Sequence, residues 1–466
     1  MKASALALRN LLRNRRRSIT TLLAMIVGAV SILLFGGYVR NVVYGLQTGY
    51  VRGTGHLQLQ QRDFQQFGSG DPVVYGVADY QRVINVLTSD PVLAPMLTVV
   101  TPIIQFNGIA GNFDAGVSSA VAAIAVDVPG QIEMHKWDDY GVGAPPPPTD
   151  ATLNSPEDGV TIGTGVARIL QLCGALNVPN CPSPPPAAKS AGAPMPRDVA
   201  QLAQDDAPAA SPRVASAHPH IELLAATAGG APNVARLQVF ETQAQGVKQL
   251  DEVFIGMHLT QAQRLLYGRS APEVTAIQVQ LQHTSQLPAA RQRVQQLIAT
   301  TLNEHPLAVY DFRELNPFYG RSIAFLDAIF TFISVLIGAI VLFTVGNTMS
   351  AAIVERTVEI GTLRAMGLRR LGLRRLFVSE GLLLGLIGAA AGELIAILLV
   401  TLINHSGISY TPPVGADRVP LTLRVLGETP LLVGTAAGLI AVALLSAWWP
   451  ARRAAALRIV EALRHA

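Results

Sequence analysis

Four stretches, Ile19 to Val39, Ala328 to Val354, Gly381 to Ile403 and Pro430 to Trp449, contain no Lys or Arg. Each reaches about 20 residues or more, the length that crosses a hydrocarbon core of about 30 Å. Half of the 466 residues are hydrophobic and 14% are charged, a balance too apolar for an ordinary soluble protein of this size. The pattern predicts an α-helical membrane protein with four transmembrane helices. The long interval between the first and second runs has room for a large α+β domain inserted between helices 1 and 2.

Charge sorts the connecting segments by side. Residues 1–18, 355–380 and 451–466 hold sixteen of the 35 Lys and Arg residues. By the positive-inside rule these three segments are cytoplasmic, both termini included, which places residues 40–321 and 404–429 on the periplasmic side of an inner membrane. The chain then divides into an amphipathic elbow helix (1–18), the first span (19–39), the periplasmic domain (40–321), and a second span with a stalk (322–354). A cytoplasmic helix and loop (355–380), the third span (381–403), a periplasmic loop (404–429), the fourth span (430–450) and a cytoplasmic tail (451–466) complete it. In the elbow, Arg9, Arg13 and Arg16 fall on one face, suited to the lipid headgroup layer. The apolar run that follows is too long for a cleaved leader. A net charge of +4 reflects this membrane bias and is no argument for nucleic acid.

Within 40–321, Leu57 and Leu59 alternate with His56, Gln58 and Gln60, the pattern of a half-buried strand. Strand and helix signals then recur as far as Asn303. Residues 182–220 are rich in Pro, Ala and Ser and too poor in large apolar side chains to bury a core, so they read as a flexible excursion. The Pro145 to Pro148 run reads as a shorter one. Cys173 and Cys181, eight positions apart, suit a short-loop disulfide in an oxidising compartment, with two free thiols as the alternative. No metal-ligand spacing is present. Glu393 lies inside the third run, where an isolated carboxylate is expensive unless it is neutral, faces another helix or lies near the surface. Gly388 and Gly392 in the third run, and Gly434 and Gly438 in the fourth, have the spacing for close helix approach, within a subunit or between two.

The segment between the second and third runs is the most specific. Glu355 to Leu376 carries six arginines, and Ile360, Leu363 and Met366 recur at every third position as one side of an amphipathic helix, with Gly361 and Gly367 allowing close approach or a helix stop. Glu355, Arg356, Glu359, Ile360, Gly361, Leu363, Arg364, Ala365 and Gly367 match nine positions of a Glu-Arg-x-x-Glu-Ile-Gly-x-Leu-Arg-Ala-x-Gly pattern. This segment, with Pro450 and the basic residues after it, resembles the FtsX-like permeases, the MacB-type class of ABC transporter membrane subunits. Arg458-Ile459 departs from the Asp-Pro pair common at that point of the family's tail.

The resemblance implies that Glu355 to Gly367, Met366 included, form a coupling helix that docks on a cytoplasmic ABC ATPase dimer. It further implies assembly with a second copy or a related permease, contact with membrane lipid, and a periplasmic or outer-membrane partner. The external domain would have a membrane-proximal part built from about Gly53 to Val126 and Arg236 to Asp311. The chain's lysines are Lys2, Lys136, Lys189 and Lys248, and none follows a glycine, so a phosphate-cradling Gly-Lys loop is absent. ATP and Mg²⁺ would bind the partner, with no catalytic residue or cofactor in this chain. The function implied is a permease subunit that passes ATPase movement to the periplasmic domain and moves a lipoprotein, lipid-like, peptide or drug substrate. The alternative is a signalling regulator that activates a periplasmic cell-wall hydrolase.

Overall fold

The computed structural model describes residues 13, 15–68, 70–143, 156–179, 181, 218–245, 248–410 and 419–456. Most of the elbow, the polyproline run, the Pro/Ala-rich residues 182–217 and the tail beyond Ala456 lie outside these. The chain forms two units, one of Met1–Leu46, Pro317–Thr411 and Arg418–Ala466, the other of Gln47–Asn316 and Pro412–Asp417.

The first unit is built on four long apolar helices: α1 (Arg15–Thr54), α2 (Pro317–Glu355), then, after the short α3 (Thr357–Ala365), α4 (Arg370–His405) and α5 (Thr429–Ala456). Each of the four is long and apolar enough to cross a membrane. All run past the apolar stretches that announce them, because helix propensity continues into the polar flanks. At 1.5 Å per residue, α1 and α2 are about 60 Å long, twice a hydrocarbon core. The segment 355–380, expected as helix and loop, is mostly helix, since α4 already starts at Arg370.

Three apolar clusters hold the helices together. In the middle, Met25 and Ala29 of α1 meet Val341, Val345 and Met349 of α2, Leu384 of α4, and Leu439, Ala443 and Ala447 of α5. At one end, Leu33 joins Ala396, Val400 and Leu431 with Leu423 and Val425 of the loop before α5. The third cluster, at the other end, carries α3 and is described below.

The glycine pairs take different roles. A Cβ at Gly388 would lie 2.8 Å from Met25 Cβ, and one at Gly392 would lie 2.4 Å from Ala29 Cβ, so α1 and α4 approach closely because both side chains are missing. Gly434 and Gly438 meet nothing within 4 Å. They border instead an apolar groove of about 620 Å³ shared by α1, α2 and α5.

In the second unit, nine strands make one sheet in the order β3-β7-β4-β6-β5-β2-β8-β1-β9, with an additional β2–β3 pairing. They are β1 (Leu57–Gln61), β2 (Leu97–Asn112), β3 (Val117–Val126), β4 (Gly159–Gly163), β5 (His220–Ala226), β6 (Pro232–Gln243), β7 (Phe254–His258), β8 (Ala276–Leu281) and β9 (Leu307–Asp311). The sixteen-residue β2 explains the shape. Its first half, Leu97 to Ile103, pairs with β8, whereas Gly108 to Gly111 pairs with β5 and Ile103 to Asn112 with β3. Six strands therefore close into a ring through β2, and β8, β1 and β9 continue from its first half as an extension.

The extension takes Leu57 to Ile103 and Ala276 to Asp311, while β3, β6 and β7, also within the ranges expected for the membrane-proximal part, belong to the ring. The sequence around β1 also reads differently in three dimensions: Gln58 and Gln60 are 4% and 3% exposed, so the strand is buried on both faces. Between β8 and β9 its amides bond to one another and to backbone, with Gln60 Nε2 donating to Gln58 Oε1 at 3.2 Å and Gln58 Nε2 to the Thr54 carbonyl at 2.9 Å. Cys173 and Cys181 are joined, with their Cα atoms 6.2 Å apart, a separation that disulfide geometry accepts.

Candidate coupling site

The pattern residues occupy the end of α2, all of α3 and the turn after it. Glu355 is the last residue of α2, Arg356 precedes α3, and Glu359, Ile360, Gly361, Leu363, Arg364 and Ala365 lie within it. Gly367 has φ +97, which only glycine adopts without strain. Its N–H bonds to the Arg364 carbonyl at 3.1 Å and that of Leu368 to the Leu363 carbonyl at 3.1 Å. These two bonds are a Schellman stop, so of the two roles open to it in the sequence Gly367 takes that of ending the helix.

The helix is anchored by one side chain. Ile360, 3% exposed, enters the cluster formed by Ile353, Leu373, Phe377, Ala451, Ala454 and Ala455. Leu363 is half-buried, but Met366 is 77% exposed. The expected three-residue apolar side is therefore cut short, because Met366 is already the capping residue and has left the helical path. Val358 and Leu371 are exposed as well, so apolar surface stands beside the arginines.

Two ion pairs fix the N-terminal end of this element, and neither has a signal in the sequence. The Arg13 guanidinium donates to both Glu359 oxygens at 2.6 and 2.7 Å, joining residues 346 positions apart. Arg356 lies 3.6 Å from Glu380 of α4, with side chains 11% and 6% exposed. The first pair is open to solvent and is worth little by itself. The second is nearly buried, so removing one partner takes away a counter-charge where solvent cannot replace it. Below α3, a pocket of about 350 Å³ is lined by Arg13, Arg356, Ile360 and Phe377 among others. The element is thus a surface helix held by one buried isoleucine and two ion pairs, between two membrane-length helices.

The geometry thus defines a four-helix membrane unit with a short surface helix flanked by arginines and an inserted α+β unit. Residues 331–459 match the FtsX-like permease C-terminal family. The chain is 26% identical over 204 residues to a macrolide export ATP-binding/permease protein, MacB, of Rhodopirellula baltica, covering 41% of this chain and 27% of that one. It is 26% identical over 251 residues to the lipoprotein-releasing system transmembrane protein LolC of Neisseria meningitidis serogroup B, covering 51% of this chain and 57% of that one. The chain thus spans well under two thirds of the length of these relatives. The extracellular domain of the noncanonic ABC-type transporter YknZ from Gram-positive bacteria matches 55% of this chain and 99% of its own at 11% identity, with a TM-score of 0.28, too low to bear on the fold. Its C-terminal region is thus FtsX-like, and the chain is similar both to a MacB export permease and to a lipoprotein-releasing transmembrane protein.

Proposed function

We propose that this chain is the permease subunit of an ABC transporter whose ATPase is a separate cytoplasmic polypeptide, and that α3 is the surface on which that ATPase docks. The reading rests on one observation: the nine-position pattern folds as a discrete surface helix between α2 and α4, with Glu359 and Met366 presented outward. In this reading the arginine-rich face is cytoplasmic and the inserted unit periplasmic. ATPase closure displaces α3, and α1 and α2, each about 60 Å long, carry the motion outward. The cargo is a lipoprotein, lipid-like molecule, peptide or drug taken from the periplasm or outer leaflet, handled by two permease copies or by this one and a related chain.

The test is affinity purification from native membranes in mild detergent, followed by mass spectrometry and an ATPase assay. Co-purification of an ATPase subunit is expected. Glu359→Ala and Arg364→Ala should keep the protein in the membrane and lose the ATPase. Arg13→Ala, which breaks the same ion pair from the other side, separates docking by Glu359 from mere positioning. An intact preparation without any ATPase, or docking variants that retain it at the original level, would overturn the reading.

A further inference from the structure

The groove of about 620 Å³ between α1, α2 and α5 has the volume of a ligand site and lies wholly within the helical unit. Ile32 of α1, Val335 and Leu342 of α2, and Leu439 and Val442 of α5 give it apolar walls. Its lining runs from Phe330 to Leu342 on α2 and from Pro430 to Val442 on α5, twelve positions on each helix. At 1.5 Å per residue that is about 18 Å, little more than half of a hydrocarbon core of about 30 Å. The groove is therefore about one leaflet deep. Its upper end is marked by Arg40, on the part of α1 that leads into the inserted unit. Arg40 is the one charged residue on the lining among the described residues, is half-buried, and has no hydrogen bond or ion pair among them. An apolar slot one leaflet deep, with an unpaired guanidinium at the headgroup level, has the charge and the length of a phospholipid.

We propose that this groove seats one phospholipid from the leaflet adjoining the inserted unit, with its phosphate on Arg40 and one acyl chain lying between α2 and α5. The planar guanidinium suits a phosphate because two N–H groups can donate to two of its oxygens at once. The chain passes over Gly434 and Gly438, where a Cβ would meet nothing within 4 Å. An acyl chain without a phosphate would fill the slot and leave Arg40 unpaired. A second copy packed groove to groove about a two-fold axis would bring two Arg40 side chains together, with no carboxylate on either lining to offset them. The inference stands on the helical unit alone and does not depend on ATPase docking.

The experiment uses the full chain, stripped of lipid in mild detergent, titrated with dioleoyl phosphatidylglycerol and read by native mass spectrometry, which counts bound lipids. Dioleoylglycerol, with the same chains and no phosphate, is the comparison. One saturable phosphatidylglycerol per chain is expected, with dioleoylglycerol at least about tenfold weaker, the effect of losing a charge-assisted hydrogen bond. Arg40→Gln should weaken the phospholipid by the same factor and leave dioleoylglycerol unchanged. Gly438→Leu fills the slot and should abolish binding of both lipids while the lipid-free melting temperature stays native; Gly434→Leu decides if that variant fails to fold. The proposal fails if no lipid saturates at one per chain, or if either Arg40→Gln or the folded glycine variant holds phosphatidylglycerol as tightly as the native chain. A dimer that the glycine variant splits, with lipid binding unchanged, would assign the groove to a second copy and overturn it as well.

Discussion

His56 shows how a single residue can carry the acid sensitivity of a domain. It is fully buried, accepts at Nδ1 from the Leu281 N–H at 3.0 Å, and faces Thr284 Oγ1 through Nε2 at 3.2 Å. Burial pushes its pKa down to about 4, against a smaller upward pull from Asp139. Above the ordinary value of 6.5 both folded and unfolded chains leave it neutral. As pH falls from about 6.5 to about 4, the unfolded chain takes up a proton that the folded one refuses, so stability is lost across that window, on the order of 3 kcal/mol in total. The Trp137 ring lies 5.0 Å from the imidazole, so intrinsic fluorescence during thermal melts should report the loss, and His56→Gln should flatten the profile between those pH values. Gly392 makes a packing prediction at the same scale. Gly392→Leu forces a side chain into Ala29 and should lower stability by about 1–3 kcal/mol, whereas Gly438→Leu faces open space and should leave the melting temperature in detergent unchanged.

At the scale of elements, α3 depends on its stop and its anchors. Gly367→Ala places a Cβ at a positive φ and should cost about 1–2 kcal/mol of local stability. Hydrogen exchange of the amides between Thr362 and Leu368 should quicken while the remainder of α2 and α4 stays protected. Glu380→Ala is expected to be worse, because it removes a counter-charge of Arg356 at a nearly buried position. Much of this element was legible: the pattern, the helix and its glycine stop are local properties. Met366 was misread because a three-residue repeat cannot tell the last helical residue from the cap that follows it. Similarly, Gln58 and Gln60 read as solvent-facing because alternation reports polarity, and only a second covered face makes a buried amide row of them.

For the whole molecule, the division into two units carries a prediction of its own. Residues 47–316 form a unit with its own buried core, including Leu57, Ile104, Ile162, Leu223 and Ile277, and should fold cooperatively when expressed alone. Circular dichroism and calorimetry would show a single transition; an aggregated product without one would refute this. The Cys173–Cys181 bridge closes a short loop, so Cys181→Ser should lower the stability of that fragment by about 2–3 kcal/mol at most.

The sequence by itself determined the four membrane-length helices, the basic surface segment between the second and third, and the alternating strands and helices of the insert. These follow from length, charge and periodicity, which act between neighbours along the chain. Only the tertiary structure decided that β2 serves both the ring and its extension, that Gly392 rather than Gly438 admits a neighbouring helix, and that Arg13 and Glu380 hold the start of the α3 segment. Those outcomes depend on which surfaces meet, and the partners are separated by up to 346 positions, beyond the reach of any local pattern.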